Sequence, residues 1–519
     1  MAFLLLAQAA AAQQASHPKQ RPDIARFRAR VELVLRQSHA EKAYWGILVT
    51  DRNTGATLYE LNADQFFAPA SNAKLLTTAL ALSALGSDYR FHTTLESEGA
   101  IGADGRLSHD LVLVGRGDPD LSNRTFPYAG RAEHEGPAEK VLAELADQAV
   151  EKGLREVDGD IVADDGYFPY DPYPADWSVG DLFFRFGAPV SAIALDDNTI
   201  SVEVQSGARI GDPATIFAEP AAALDTFSRE ITTGPPNGEP DLAVVRQPGM
   251  NFVLLRGTIP LGHIPFRLDL AMTAPAETTA IALKQLLEAR GVRVTGGTRV
   301  QHSPPPENTA SGEPIIPQSI PAKPDPNPLV LAEHVSPPLI ESVRVTNKVS
   351  HNLHAELFLR AVGREKLGVG STDAGLKVER GFLHEAGIAD GDVVLTDGSG
   401  LSRSDLVTPR AIVALLRYAE KQPWGKDYIS TLPVAGVDGT LENRMRDSAA
   451  SGLIEAKTGE VEHDRALSGY AATLRREDLI FAIFYNNNPQ GGPETAAAID
   501  AIATAMVETL GTKPPPKKK

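Results

Sequence analysis

The chain has 519 residues, 42% of them hydrophobic and 23% charged, and 67 acidic against 50 basic side chains leave a formal charge of −17. At about 150 residues per domain this is material for roughly three globular domains, and its acidity argues against nucleic acid or an anionic membrane as the main partner. Cysteine is absent, which excludes disulfides, thiolate nucleophiles, Cys-ligated zinc and iron–sulfur clusters.

In chain order, Met1–Ala12 (MAFLLLAQAAAA) has a short Leu-rich piece followed by small residues of the A-x-A kind. No cation precedes Lys19, so residues 1–20 read as a signal peptide with a clipped start, or as a disordered N-terminus. No later apolar run approaches the ~18 residues of a membrane span. Ile24–Arg36 is amphipathic at helical spacing, and Tyr44–Thr50 and Ala56–Leu61 read as two strands about a turn. Ser71-Asn72-Ala73-Lys74 then opens an almost uninterrupted apolar helix to about Leu85, the pattern of a helix buried on all sides.

From 96 to 302 the texture becomes short strands with Gly and Asp turns, such as Asp110–Val114, Gly159–Ala163, Thr199–Gln205 and Asn251–Ile259. Helical stretches at Ala138–Lys152 and Thr279–Arg290 interrupt it. Residues 304–328 carry nine prolines, which no helix or central strand tolerates, so 303–330 is expected to be an extended loop. Residues 331–511 return to helical texture and close with strands Ala466–Leu474 and Leu479–Tyr485 and a helix Glu494–Leu510. The tail 512–519 is rich in Pro and Lys and is expected to be disordered.

Most motifs that could carry chemistry fail on inspection. His354-Ala355-Glu356 resembles the H-x-E of zinc deaminases, but a chain without Cys cannot supply the partner C-x-x-C. There is no H-E-x-x-H, no phosphate-binding loop and no G-x-S-x-G. Three short motifs remain: Ser71-x-x-Lys74, Ser350-His351-Asn352 and Lys457-Thr458-Gly459. Each is weak alone, and Ser16-His17-Pro18-Lys19 is a chance copy of the first. Together and in this order they match the set used by active-site serine enzymes that react with penicillins. A three-residue helical step puts Ser71 and Lys74 on one face, and burial lowers a lysine's preference for charge, so Lys74 is suited to take the Ser71 proton. Ser350 and Asn352 can relay a proton and hold the lysine or a substrate amide. Lys457 and Thr458 suit a substrate carboxylate, while Gly459 allows close backbone approach.

At these residues the chain resembles the D-alanyl-D-alanine carboxypeptidase/endopeptidase family, the class C low-molecular-mass penicillin-binding proteins. The likeness extends to Gly117-Asp118-Pro119-Asp120-Leu121, Gly187-Ala188-Pro189-Val190-Ser191-Ala192, Asn347-Lys348-x-Ser350-x-Asn352, Asp397–Arg403 (DGSGLSR) and Leu432–Leu441 (LPVAGVDGTL). It implies an α/β (α+β) transpeptidase/β-lactamase-like serine domain split in sequence, parts 24–95 and 331–511, around two inserted strand-rich domains. The 279 residues from Ser71 to Ser350 agree with such an insertion.

The resemblance further implies that Ser71 is the acylated nucleophile, Lys74 its base, Ser350 a proton relay and Asn352 the partner of lysine and amide. Lys457 and Thr458 would bind the carboxylate, and the backbone N–H groups of Ser71 and Glu460 would form the oxyanion hole. Trp177, Asp181 and Phe186 have the spacing of a family segment that touches the substrate side chain, with Asp181 placed to bind an ammonium. Relatives usually carry Thr or Ser in place of Glu460 and an apolar residue in place of Arg465. An extra carboxylate beside Lys457 would weaken anionic substrates unless Arg465 neutralises it. The expected protein is a periplasmic or extracytoplasmic serine D,D-peptidase. It would act on peptidoglycan stem peptides, be acylated by β-lactams, and need no metal or organic cofactor. The rival expectations are a β-lactamase-like hydrolase, for which no deacylation base is identified, and a catalytically weak peptidoglycan-binding scaffold.

Overall fold

The computed structural model describes residues 21–37, 40–130, 134–246, 252–305, 328–488 and 493–513. The expected signal segment, the decoy Ser16, most of the Pro-rich stretch and all but two residues of the tail therefore lie outside the described residues.

Strands from the two ends of the chain build one antiparallel sheet. Its order is Ile454–Val461, Asp464–Ala472, Asp478–Asn486, Tyr44–Asp51, Thr57–Leu61. The seam is Tyr44–Asp51 against Asp478–Asn486, paired from Tyr44↔Asn486 to Asp51↔Leu479. Side chains alternate between the faces of a strand, and both faces here are apolar. Ile47, Val49, Phe481 and Ile483 pack under the terminal helices Pro22–Leu35 and Pro493–Thr509. Leu48, Ala482 and Phe484 face the opposite way, onto the helix Ala73–Leu85. That helix is buried from Ala73 through Leu82, Lys74 included. The sequence expectation of an all-round apolar helix at the domain centre is met, and its packing partner is the long helix Asn352–Leu367.

Between the two halves lies strand-rich structure with its own cores. A five-stranded mixed sheet runs in the order Thr298–Ser303, Ile161–Pro169, Leu111–Val114, His92–Ser97, Leu329–Val335. The helices Lys140–Glu151 and Pro275–Ala289 bury Leu142, Leu145, Leu283 and Leu287 against it. The Pro-rich stretch joins the two opposite edge strands of this sheet. A second core forms between two three-stranded sheets: Phe227–Gly234 with Val253–Pro260 and Asp241–Val245, and Phe266–Ala271 with Thr199–Gln205 and Thr215–Glu219. Among the described residues no helix is long and apolar enough to cross a membrane.

Candidate active site

Ser71 does not open the helix itself. It occupies a 3-10 turn, Ala70–Asn72, that leads directly into Ala73–Leu85. Lys74 follows one turn on, fully buried, with Nζ 2.8 Å from Ser71 Oγ, 2.6 Å from Asn352 Oδ1 and 2.7 Å from the carbonyl of Ser399. Burial pushes its pKa down to about 7, against the opposing pull of Asp397, Glu356 and Asp405.

The Ser399 carbonyl is aimed by Asp397. The Asp397 carboxylate accepts the N–H groups of Ser399 (3.0 Å), Gly400 (2.6 Å), Leu401 (3.0 Å) and Ser402 (2.8 Å), and the indole N–H of Trp177 (2.8 Å). Gly400 has φ +78°, and a Cβ there would stand 1.9 Å from the Ala70 carbonyl. The loop thus lies directly on the turn that carries Ser71. The buried Glu356 accepts the N–H of Gly398 from below (3.0 Å).

Ser350 and Asn352 sit where two helices meet. Leu339–Val349 ends on Ser350 in the left-handed region (φ 62°, ψ 44°), and Asn352–Leu367 starts two residues later. The Asn352 carboxamide is fixed at both ends, its Oδ1 on Lys74 and its Nδ2 donating to the Phe186 carbonyl at 2.8 Å. Ser350 Oγ lies 2.8 Å from Lys457 Nζ, which also donates to the Thr458 carbonyl at 2.9 Å. Lys457 is fully buried; burial, and then the nearby charge of Lys74, hold its pKa well below the lysine range.

Lys457-Thr458-Gly459 lies on the edge strand of the main sheet, Ile454–Val461. Asn72 Nδ2 donates to the Lys457 carbonyl at 3.2 Å, and a Cβ on Gly459 would approach the Pro69 carbonyl to 2.6 Å. Close contact between strand and serine turn is what requires glycine here. Thr458 Oγ1 is 2.7 Å from Thr440 Oγ1. Lys348 braces the same corner by donating to Asp438 and to the Leu432 carbonyl.

All three motifs therefore converge, although 279 residues separate the first two in the chain. Glu460 and Arg465 face each other across the hairpin and form an ion pair at 2.8 Å. Trp177 is buried against Asp397, and the Phe186 ring is exposed and stacked on Phe184. Asp181 is raised above the usual carboxylate range by burial, with Arg403 and Glu462 as its charged neighbours. Sequence reading gave no role to Asp397 or to the Ser399 carbonyl, although DGSGLSR stood out as a block.

A cavity of about 750 Å³ opens beside Ser350 and Asn352, walled by Thr440 on one side and by Arg124, Arg185 and Asp269 of the inserted region on the other. The one cluster of three metal-ligand side chains among the described residues is Asp197 with His351 and His354. Both of its carboxylate oxygens already accept from Arg124 and the two imidazoles.

The family model for the D-Ala-D-Ala carboxypeptidase 3 (S13) family matches residues 27–506. The chain belongs to that family. It is a serine-type D-Ala-D-Ala carboxypeptidase. A D-alanyl-D-alanine carboxypeptidase of an Actinomadura species is 34% identical over 496 residues, covering 93% of this chain and 85% of that one. The corresponding Haemophilus influenzae enzyme is 28% identical, with 89% of each chain covered. The crystal structure of penicillin binding protein 4 from Haemophilus influenzae superposes with a TM-score of 0.74 at 25% identity, covering 92% of this chain and 98% of that one. A second structure of that protein is a complex with a β-lactam.

For this carboxypeptidase the contact between the DGSG loop and the serine turn is a point of failure. Gly400→Ala places a side chain on the Ala70 carbonyl at a backbone angle that favours glycine. It is expected to lower the thermal midpoint and to cut D-Ala release by at least tenfold. A variant with both values unchanged would show that the loop does not fix the turn.

Proposed function

We propose that Ser71 is the nucleophile and Lys74 its base in the hydrolysis of D-Ala-D-Ala stem peptides of peptidoglycan. The observation that carries this is the environment of Lys74 Nζ, which is fully buried and has three polar neighbours. A neutral amine satisfies all three: it donates to the Asn352 and Ser399 oxygens and accepts the Ser71 hydroxyl proton. Burial disfavours the charged ammonium, and the neutral form that it favours still leaves none of these buried groups unpaired.

Ser71 Oγ attacks the carbonyl carbon of the penultimate D-Ala while its proton passes to Lys74 Nζ. The oxyanion is met by the backbone N–H groups of Ser71 and Glu460, the latter on the sheet's edge strand. The C–N bond breaks as the leaving amine takes a proton, relayed from Lys74 through Ser350, and water then hydrolyses the ester. Lys457 and Thr458 hold the terminal carboxylate. Glu460 stands against this role only if its charge is free, and its partner Arg465 supports the enzyme over an idle scaffold. The cavity past Thr440 lies on the leaving-group side and gives room for a cross-linked peptide as well as D-Ala, which supports an endopeptidase activity beside the carboxypeptidase one. Such substrates place the enzyme outside the cytoplasmic membrane, consistent with the signal-like Met1–Ala12. The complex of its Haemophilus influenzae relative with a β-lactam supports acylation of this chain by the same drugs.

Intact mass after incubation with benzylpenicillin, followed by peptide mapping, tests the nucleophile. One penicilloyl group is expected on the peptide containing Ser71, and none on Ser71→Ala. An adduct that survives the substitution refutes the assignment.

The pH profile tests the base. Because the Lys74 pKa is lowered to about 7, acylation should rise with pH through neutrality and level off above it, far below the usual lysine value of about 10.4. Lys74→Arg should be nearly inactive, since a guanidinium keeps its proton. A profile flat between pH 5 and 9 would point to another base.

Asp181 is proposed to pair with the ammonium of a diamino acid in the stem peptide. A desolvated charged hydrogen bond is worth about 1.5–3 kcal/mol, so Asp181→Asn should lower kcat/KM for free-amine peptides by roughly ten- to a hundredfold. N-acetylated peptides should be turned over as before. Equal losses on both would make Asp181 a structural carboxylate.

A further inference from the structure

We propose that Asp197, on the inserted region, is a positioning residue that holds the Ser350–Asn352 turn in its reactive geometry through His351 and His354. Asp197 Oδ1 lies 2.9 Å from His354 Nε2, and Oδ2 lies 3.1 Å from His351 Nε2 and 2.5 Å from Arg124 Nη2. His351 is the residue between Ser350 and Asn352, so one carboxylate grips the middle of the motif and the next turn of its helix at once.

The protonation pattern follows from the bonds. His351 Nδ1 accepts the backbone N–H of His354 and caps the helix Asn352–Leu367, so its ring proton is on Nε2, pointing at Asp197. His354 is fully buried with the Nδ1 atom unpaired, which leaves Nε2 as its donor too. Asp197 therefore accepts from three donors. Burial alone would raise its pKa, but the Arg124 guanidinium and the two imidazoles hold the carboxyl well below the usual range. The Asp120 carboxylate, which bonds Ser342, also faces His354, and Asp196 adjoins Asp197.

The backbone is bent to deliver this carboxylate. Asp196, Asp197 and Asn198 all have left-handed φ values (46°, 59°, 52°), a sparsely populated region for residues other than glycine. The run is held from outside: Asp196 N–H donates to the Leu121 carbonyl, and buried Asn198 Nδ2 donates to the Pro189 carbonyl at 2.9 Å. Strain that is so firmly braced, and that ends in a carboxylate reaching across to the serine domain, points to function and not to a loop that merely turns. Ser350 is itself left-handed, and the backbone of the motif is tied back to the preceding helix through the Thr346 carbonyl, which accepts the N–H groups of Ser350 and His351. The carboxylate adds a hold on the His351 and His354 rings of the same turn.

This inference rests on the reading that Ser350 and Asn352 take part in acylation, and the test separates the two. His351→Asn keeps a good helix cap but cannot reach Asp197. Asp197→Asn tolerates the left-handed backbone but turns an amide N–H onto the donors of Arg124 and His351. Each variant should keep its thermal midpoint within about 3 °C, lose at least tenfold in penicillin acylation rate and in kcat for D-Ala release, and change KM less than twofold. The double variant should be no slower than the slower single one, because both break the same contact. Wild-type acylation in either variant, a loss that appears only with a fallen midpoint, or additive losses would overturn the proposal. Wild-type acylation in Ser350→Ala and Asn352→Ala would overturn the reading of the motif itself, and this proposal with it.

Discussion

The structure depends on keeping one amine out of water. Carrying a charged ammonium into an apolar core costs far more than any single contact returns, so a buried lysine either finds a counter-charge or gives up its proton. Around Lys74 the protein supplies two neutral oxygens and a hydroxyl, and keeps its carboxylates one layer back. Asp397, Glu356 and Asp405 reach it only through space, and each is occupied elsewhere. Had Asp397 contacted Nζ directly, the ion pair would have held the proton on the amine. The Ser399 carbonyl takes that position instead, and Asp397 is spent on four backbone N–H groups and an indole. Lys457 is also fully buried, and burial and then the nearby Lys74 disfavour charge on it.

That requirement explains the way the chain is spliced. The groups around Nζ come from residues 71, 352 and 399, and the second lysine from 457, so no contiguous segment could form the site. The seam between Tyr44–Asp51 and Asp478–Asn486 joins the first piece to the last, and the helices that carry Lys74 and Asn352 pack together in the same core. Large apolar side chains such as Phe67, which stacks on Phe484 at 5.6 Å and presses on Gly46, set the distance between turn and sheet. Truncating such a ring costs about 3–5 kcal/mol, so the site's geometry is underwritten by ordinary packing.

Much of this was legible in the sequence because it is local. Ser71 and Lys74 are one helical turn apart. Thr199–Gln205 alternates inward and outward residues as an isolated strand should, and it forms with those bounds. The apolar run after Lys74 announced its own burial. What could not be read is what arises only when distant segments meet. The Ser399 carbonyl has no side-chain identity to notice. His354-Ala355-Glu356 was rejected as a metal motif, and its two polar residues instead turn to different neighbours, His354 to Asp197 and Glu356 to Gly398. The Glu460–Arg465 pairing follows from hairpin register, five residues apart across a tight turn. The sequence raised that neutralisation only as a condition, because register was not yet known. Ser71 sits in a 3-10 turn against which the Gly400 loop, more than 300 residues away in the chain, is packed.

The inserted region is bound into this arrangement at three points, each at a different support of the reacting groups. The Trp177 indole holds the acceptor that aims the Ser399 carbonyl, the Phe186 carbonyl holds the free end of the Asn352 carboxamide, and Asp197 holds the imidazoles that flank that asparagine. None of these three contacts Lys74 or Ser71. They share the task of restraining groups that do, in addition to the bonds that the serine domain makes to them. An asparagine with only one bonded end could rotate its carboxamide and present an N–H to Lys74, and a neutral amine would then have one acceptor too few. The insertion removes that freedom. It therefore helps to fix the acceptor that faces Lys74, and it forms one wall of the cavity beside Asn352.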